Sequence, residues 1–184
     1  MPASDTFEET SNSFMKMICF LFLVIGATSS VFAQQNDKKE PEFPIGTWKL
    51  VAVENTLPDG SKTFPYGEDP KGMLVFDEHG NYAIQILKAD RPKVHANDKN
   101  KATCDESAAL VQGNNSHFGR YSLDKEKGVI RFSVDHAFYP NWEGTTQERS
   151  YSLDEEELRY IVTNTTNGGA VTALVVWKRK SKAH

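Results

Sequence analysis

Six polar residues fall on the apolar phase of three consecutive β-like runs: His117, Tyr121, His136, Gln147, Arg149 and Tyr151. Strand side chains alternate between two faces, so each run can be sorted into an inner and an outer set. Residues 129–136 divide into Ile130, Phe132, Val134 and His136 against Val129, Arg131, Ser133 and Asp135, and the first set is the inner one. Residues 117–124 place His117, Gly119, Tyr121 and Leu123 inward. In 145–153, Thr146, Glu148, Ser150 and Ser152 must face water, which sends Thr145, Gln147, Arg149, Tyr151 and Leu153 inward. A guanidinium buried without partners costs several kcal/mol or more, so Arg149 is paired internally, lines a wet cavity, or sits at a mouth. An imidazole titrates near working pH and serves acid–base chemistry, while an arginine beside a tyrosine stabilises a carboxylate or an enolate.

These residues need a scaffold of short strands, and the chain supplies one. β-rich runs occupy residues 47–54, 62–64, 72–76, 81–87, 117–123, 129–135, 145–153, 158–163 and 171–179, most of them separated by turn-length links. Such regular spacing predicts an all-β sandwich or barrel. One segment departs from it. Thr103 and Glu106 form a capping box that opens a helix over 104–112, closed by Gly113. Cys104, Ala108 and Val111 share one helical face, which reads Cys104 as a small core residue, with pairing between chains or a reactive thiol as alternatives, on a helix able to plug or lid one barrel end.

The N-terminus is read as processing signal rather than fold. Met15-Lys16-Met17 is a short basic start, residues 18–25 are uncharged and apolar, and Val31-Phe32-Ala33 is a cleavage pattern. The run is shorter than the roughly 20 residues a membrane span needs. Residues 1–33 are thus a signal peptide whose acidic upstream extension points to Met15 as the true start. Residues 34–44 are a flexible leader, 45–180 the barrel domain and 181–184 a tail, and the mature chain is secreted or periplasmic. Loss of Asp5, Glu8, Glu9 and Lys16 takes the net charge from −4 to about −2. That balance argues against a nucleic-acid partner. Cys19 leaves with the signal, so Cys104 has no internal disulfide partner. His79, His95, His117, His136 and Cys104 are scattered without ligand spacing, so no metal is expected, and no motif calls for a cofactor.

Gly46-Thr47-Trp48-Lys49-Leu50 resembles the Gly-x-Trp opening of lipocalins, and Leu174-Val175-Val176-Trp177-Lys178-Arg179 resembles their last strand. Asp69-Pro70-Lys71-Gly72-Met73-Leu74, His117-Phe118-Gly119-Arg120-Tyr121 and Tyr139-Pro140-Asn141-Trp142-Glu143-Gly144-Thr145 are similar to segments of the lipocalin-like domain proteins of bacteria and fungi. The resemblance covers residues 45–179. It implies a single antiparallel up-and-down barrel of about eight to ten strands with one short inserted helix, in which Gly46, Trp48 and Arg179 close the base. It implies little about activity.

Two functions follow. The first is a carrier of a small, mainly hydrophobic or amphipathic molecule with a polar or anionic end, held by His117, Tyr121, Phe132, His136, Asn141, Trp142, Gln147, Arg149 and Tyr151. The alternative is an isomerase, cyclase or hydratase using the same interior cluster, with His136 or His117 as acid–base and Arg149 with Tyr121 stabilising an anion.

Overall fold

The computed structural model describes residues 44–154, 156–163, 165–166 and 170–181. The expected signal peptide, almost all of the leader and the last three residues of the tail lie outside the described residues. β1 (Gly46–Thr56), β2 (Lys62–Thr63), β3 (Lys71–Phe76) and β4 (Asn81–Leu87) precede a helix, α1 (Cys104–Gln112). β5 (Asn114–Asp124), β6 (Val129–Ala137), β7 (Thr146–Asp154), β8 (Glu157–Val162) and β9 (Thr172–Arg179) follow. Every pairing is antiparallel in the order β1-β3-β4-β5-β6-β7-β8-β9, and β9 returns to β1 to close an eight-stranded up-and-down barrel. β2 is not a barrel stave: its two exposed residues merely extend the far end of β1.

One end of the barrel is closed by the residues the lipocalin resemblance singled out. Trp48 and Trp177 are fully buried. Arg179 lies 4.3 Å from the centroid of the Trp48 ring and donates to the Ile45 carbonyl at 2.7 Å, while the Trp48 indole donates to the Pro44 carbonyl at 2.9 Å. Gly46 sits at φ +131°, and a Cβ there would come within 3.0 Å of the Arg179 guanidinium. A side chain at 46 would therefore be strained and would obstruct the cation on its ring. Above this base, Phe76, Tyr82, Phe132 and Tyr160 interlock edge-to-face and stacked, with Phe76–Phe132 centroids 6.1 Å and Tyr82–Phe132 centroids 4.7 Å apart.

Two β-bulges decide which side chains reach the interior. In β1 the register shifts between Leu50 and Ala52, so Trp48 and Leu50 point inward below the bulge, and Val53 and Asn55 above it. In β6, Val134 pairs with Gly119 but His136 pairs with Phe118, leaving Asp135 as the extra residue. One inserted residue reverses the alternation. His136, expected inside, is consequently outside, its ring 5.6 Å from that of exposed Phe118. Gly119 makes room for the bulge: a Cβ there would lie 2.1 Å from the Ser133 carbonyl oxygen and 2.7 Å from the Asp135 nitrogen.

Smaller departures have equally local causes. Thr145 precedes β7 and is exposed, and Leu153, close to the strand's end, is 39 % exposed rather than interior. α1 spans the expected residues with both halves of its capping box in place, and Glu106 also accepts from the His95 backbone, tying the preceding loop to the helix. None of its residues is buried, however, and Cys104 is exposed. Its apolar stripe of Cys104, Ala108 and Val111 is narrow, and the strands already provide the walls.

Gly119→Ala is predicted to destabilise the barrel by about 2–4 kcal/mol, because the clash is with the β6 backbone and cannot be relieved by a rotamer change. Chemical denaturation measures this; a loss below about 1 kcal/mol would mean that the bulge is not fixed by that close approach.

Candidate functional site

The end opposite Trp48 and Arg179 opens into a cavity of about 560 Å³, within the usual range for a small-molecule site. Strand halves that point away from the closed base form its wall. Val53, Ile84, Ile86, Val162 and Val175 supply apolar surface, with Tyr160 at the floor. Asn55, Asn115, His117, Gln147 and Arg149 interrupt it, and Pro65, Tyr66, Trp142, Thr145, Thr146, Glu148, Thr163, Thr165, Thr166 and Ala173 complete the lining.

Arg149 is the charged group at the floor, only 7 % exposed. Its guanidinium carbon lies 5.4 Å from the Phe132 centroid and 5.2 Å from that of Tyr160. Nη2 donates to Gln147 Oε1 at 2.5 Å, from two residues earlier on the same strand face, while Nε has no partner. No carboxylate of the described residues pairs with it. Of the three options open for a buried arginine, this is the cavity lining. Burial lowers its pKa, and the Tyr160 and Tyr82 hydroxyls oppose that shift. Arginine nonetheless stays protonated in proteins, so a positive charge faces the cavity. Two aromatic faces and one amide oxygen offset only part of its desolvation.

His117 stands beside it on β5, 4 % exposed. Its Nδ1 is 2.8 Å from the Tyr82 hydroxyl and its ring 5.7 Å from that of Trp142. Burial, with the Arg149 charge second, depresses its pKa to about 3, so the ring is neutral. With the phenol as donor to Nδ1 the ring proton sits on Nε2; in the other tautomer Nδ1 donates to the phenol oxygen. The same burial raises the phenols of Tyr82, Tyr160 and Tyr66, the last moderated by the Asn115 amide. Four buried side-chain atoms of this wall lack a hydrogen-bond partner: Asn55 Oδ1, Asn115 Oδ1, Arg149 Nε and Thr165 Oγ1.

Of the residues expected to bind, His117, Trp142, Gln147 and Arg149 meet at this cavity. Phe132 lies fully buried beneath Arg149. Tyr121 belongs to the closed half, where its hydroxyl donates to the Asp77 carbonyl at 3.0 Å and its ring meets Phe76 at 4.7 Å. Tyr151 packs half-buried against the core. Asn141 is exposed on the 3-10 turn Pro140–Trp142, and His136 lies outside, 3.4 Å from Glu143. The suggested catalytic trio of His136, Arg149 and Tyr121 is therefore dispersed over the outer surface, the cavity floor and the closed half. Asn55 and Asn115 were not anticipated. The β1 bulge hides Asn55 from strict alternation, whereas β5 begins at Asn114 and alternation run backward from His117 would have reached Asn115.

Among the described residues no group of three His, Cys, Asp or Glu side chains could hold a metal ion, and no helix is long and apolar enough to cross a membrane.

His117 makes stability pH-dependent in a defined window. Its folded pKa lies below its unfolded value of 6.5, so below pH 6.5 the unfolded chain binds a proton that the folded one refuses. Stability should fall by roughly 3–5 kcal/mol in all between pH 6.5 and 3, with no contribution from this residue above that window. His117→Gln should flatten that part of a Tm-against-pH profile; an unchanged slope would place the acid sensitivity elsewhere.

The family model described as a lipocalin-like domain matches residues 45–180. No curated protein matches the chain.

Proposed function

Because the chain belongs to the lipocalin-like domain family, whose barrel suits small-molecule binding, we propose that it carries an amphipathic acid with its anionic end on Arg149. The observation behind this reading is a guanidinium buried at the floor of an open cavity with no carboxylate of the described residues paired to it, the adjacent Glu148 being engaged by Arg131. A barrel that only needed filling would be served better by an apolar residue, because an unpaired buried charge destabilises. A ligand carboxylate would complete the charge-assisted hydrogen bonding that Gln147 begins. The apolar stretch from Val53 and Val175 to Ile86 and Val162 would then hold the ligand body. The cavity is more polar than strand alternation implied, since Asn55, Asn115 and the threonines join it.

In this reading the carrier works outside the cytoplasm, secreted or periplasmic, on the strength of the signal pattern at residues 15–33. N-terminal sequencing of exported protein should begin at Gln34.

Arg149→Met is predicted to weaken binding of decanoate at least about thirtyfold, as befits a lost charge-assisted hydrogen bond of about 2 kcal/mol. The same change should leave Tm unchanged or raise it, because a desolvated charge gives way to a side chain of similar reach. Isothermal titration with decanoate and its methyl ester checks the first part and a melting curve the second. Equal decanoate affinity in both proteins would remove Arg149 from the site.

A further inference from the structure

Among the described residues Arg149 is one of two polar side chains in the cavity wall that are more than nine-tenths buried and keep an unpartnered atom; the other is Asn55, 4 % exposed, whose Oδ1 has no partner among them. Buried amide oxygens are normally satisfied, and leaving one bare costs about 1–3 kcal/mol. Asn115 Oδ1 stands in the same condition on a different strand, its amide engaged with the Tyr66 hydroxyl.

The strand register places these amides relative to the residues around the guanidinium. Val53 pairs with Val175, and Val175 with Tyr160, the residue whose ring lies beneath Arg149. Asn55 is one inward position further along β1 from Val53, a step of ~7 Å toward the mouth. Asn115 is likewise one inward position beyond His117 on β5. The guanidinium thus sits at the floor, and two unsatisfied acceptors wait about one strand repeat above it, on separate walls.

We propose that the cavity selects acids carrying a hydrogen-bond donor, a hydroxyl or N–H, roughly 7 Å from the carboxylate, read by Asn55 and Asn115. The inference rests on the reading of Arg149 as the carboxylate anchor and adds a second point of recognition to it. A hydroxyl suits the site because it can donate to an amide oxygen and accept from an amide nitrogen, so either orientation of the asparagine amides is served. A plain alkyl chain at that level would instead seal the two oxygens away from water without a partner, and such a site discriminates strongly against an analogue lacking the polar group.

The test uses the purified chain and two probes, 3-(4-hydroxyphenyl)propanoate and 3-phenylpropanoate, which differ by one hydroxyl at the required reach. Titration calorimetry should show the hydroxylated acid binding at least about tenfold more tightly. Asn55→Leu and Asn115→Leu should each reduce that ratio toward one by weakening the hydroxylated acid, while 3-phenylpropanoate binds at least as tightly as before, which also shows that the variant barrels are folded. If both acids bind the parent protein equally, donor selection is wrong and the carboxylate anchor stands. If neither binds, the anchor falls and this inference with it. A preference that survives both substitutions assigns the hydroxyl to another group and overturns the role of the asparagines.

Discussion

An antiparallel sheet of eight strands has two edges, and here each satisfies the other: β9 runs against β1 from Arg179 opposite Trp48 to Thr172 opposite Thr56. Closure leaves no edge among these strands open to pairing with another chain. It also forces the local curvature that the Val51 bulge in β1 relieves. The β1 side of the open end takes its orientation from that bulge, which turns Val53 and Asn55 inward where uninterrupted alternation would have turned Ala52 and Glu54. The cation on the Trp48 ring holds the same seam from below. One seam therefore both seals the base and sets the chemistry of the opening.

The two arginines on the inside of this barrel are treated very differently. Arg179 reaches a carbonyl and an aromatic face at the base, and Gly46 leaves it space. Arg149 has aromatic faces too, yet its Nε is left bare at the floor of an accessible space. The first arrangement is complete within the chain. The second leaves a buried donor without a partner among the described residues.

Much of this was legible in the residues. Alternation in β5 and β7 assigned His117, Gln147 and Arg149 to the interior, because neither strand is interrupted over that stretch. The capping box fixed α1 through local chemistry alone. What alternation could not reveal was where it breaks. His136 and Asn55 went astray for the same reason, an inserted residue that leaves no mark in hydrophobic pattern. Gly119 was the one visible hint: a glycine in mid-strand often marks a bulge or a close backbone approach, and here it marks both. Tyr121 was correctly turned inward but not placed by depth, since periodicity separates faces and says nothing of which barrel end a residue occupies. Cys104 shows the matching limit for helices, where a shared apolar face need not be a covered one.

The neutral His117 has a consequence for how cargo would be exchanged. Its imidazole takes a proton only near pH 3, and the neighbouring phenols are pushed upward from their ordinary range. Across the span of about pH 4 to 9, these buried groups and Arg149 keep one fixed state of ionisation. On the carrier reading these groups at the floor hold a constant charge, and acidity would loosen the anchor through the guest. An acid that becomes neutral in an acidified compartment would loosen its own grip on Arg149 and leave, while a stronger acid beside it would stay. Retention would thus sort cargo by proton affinity, with the barrel supplying a reference charge against which each guest is measured.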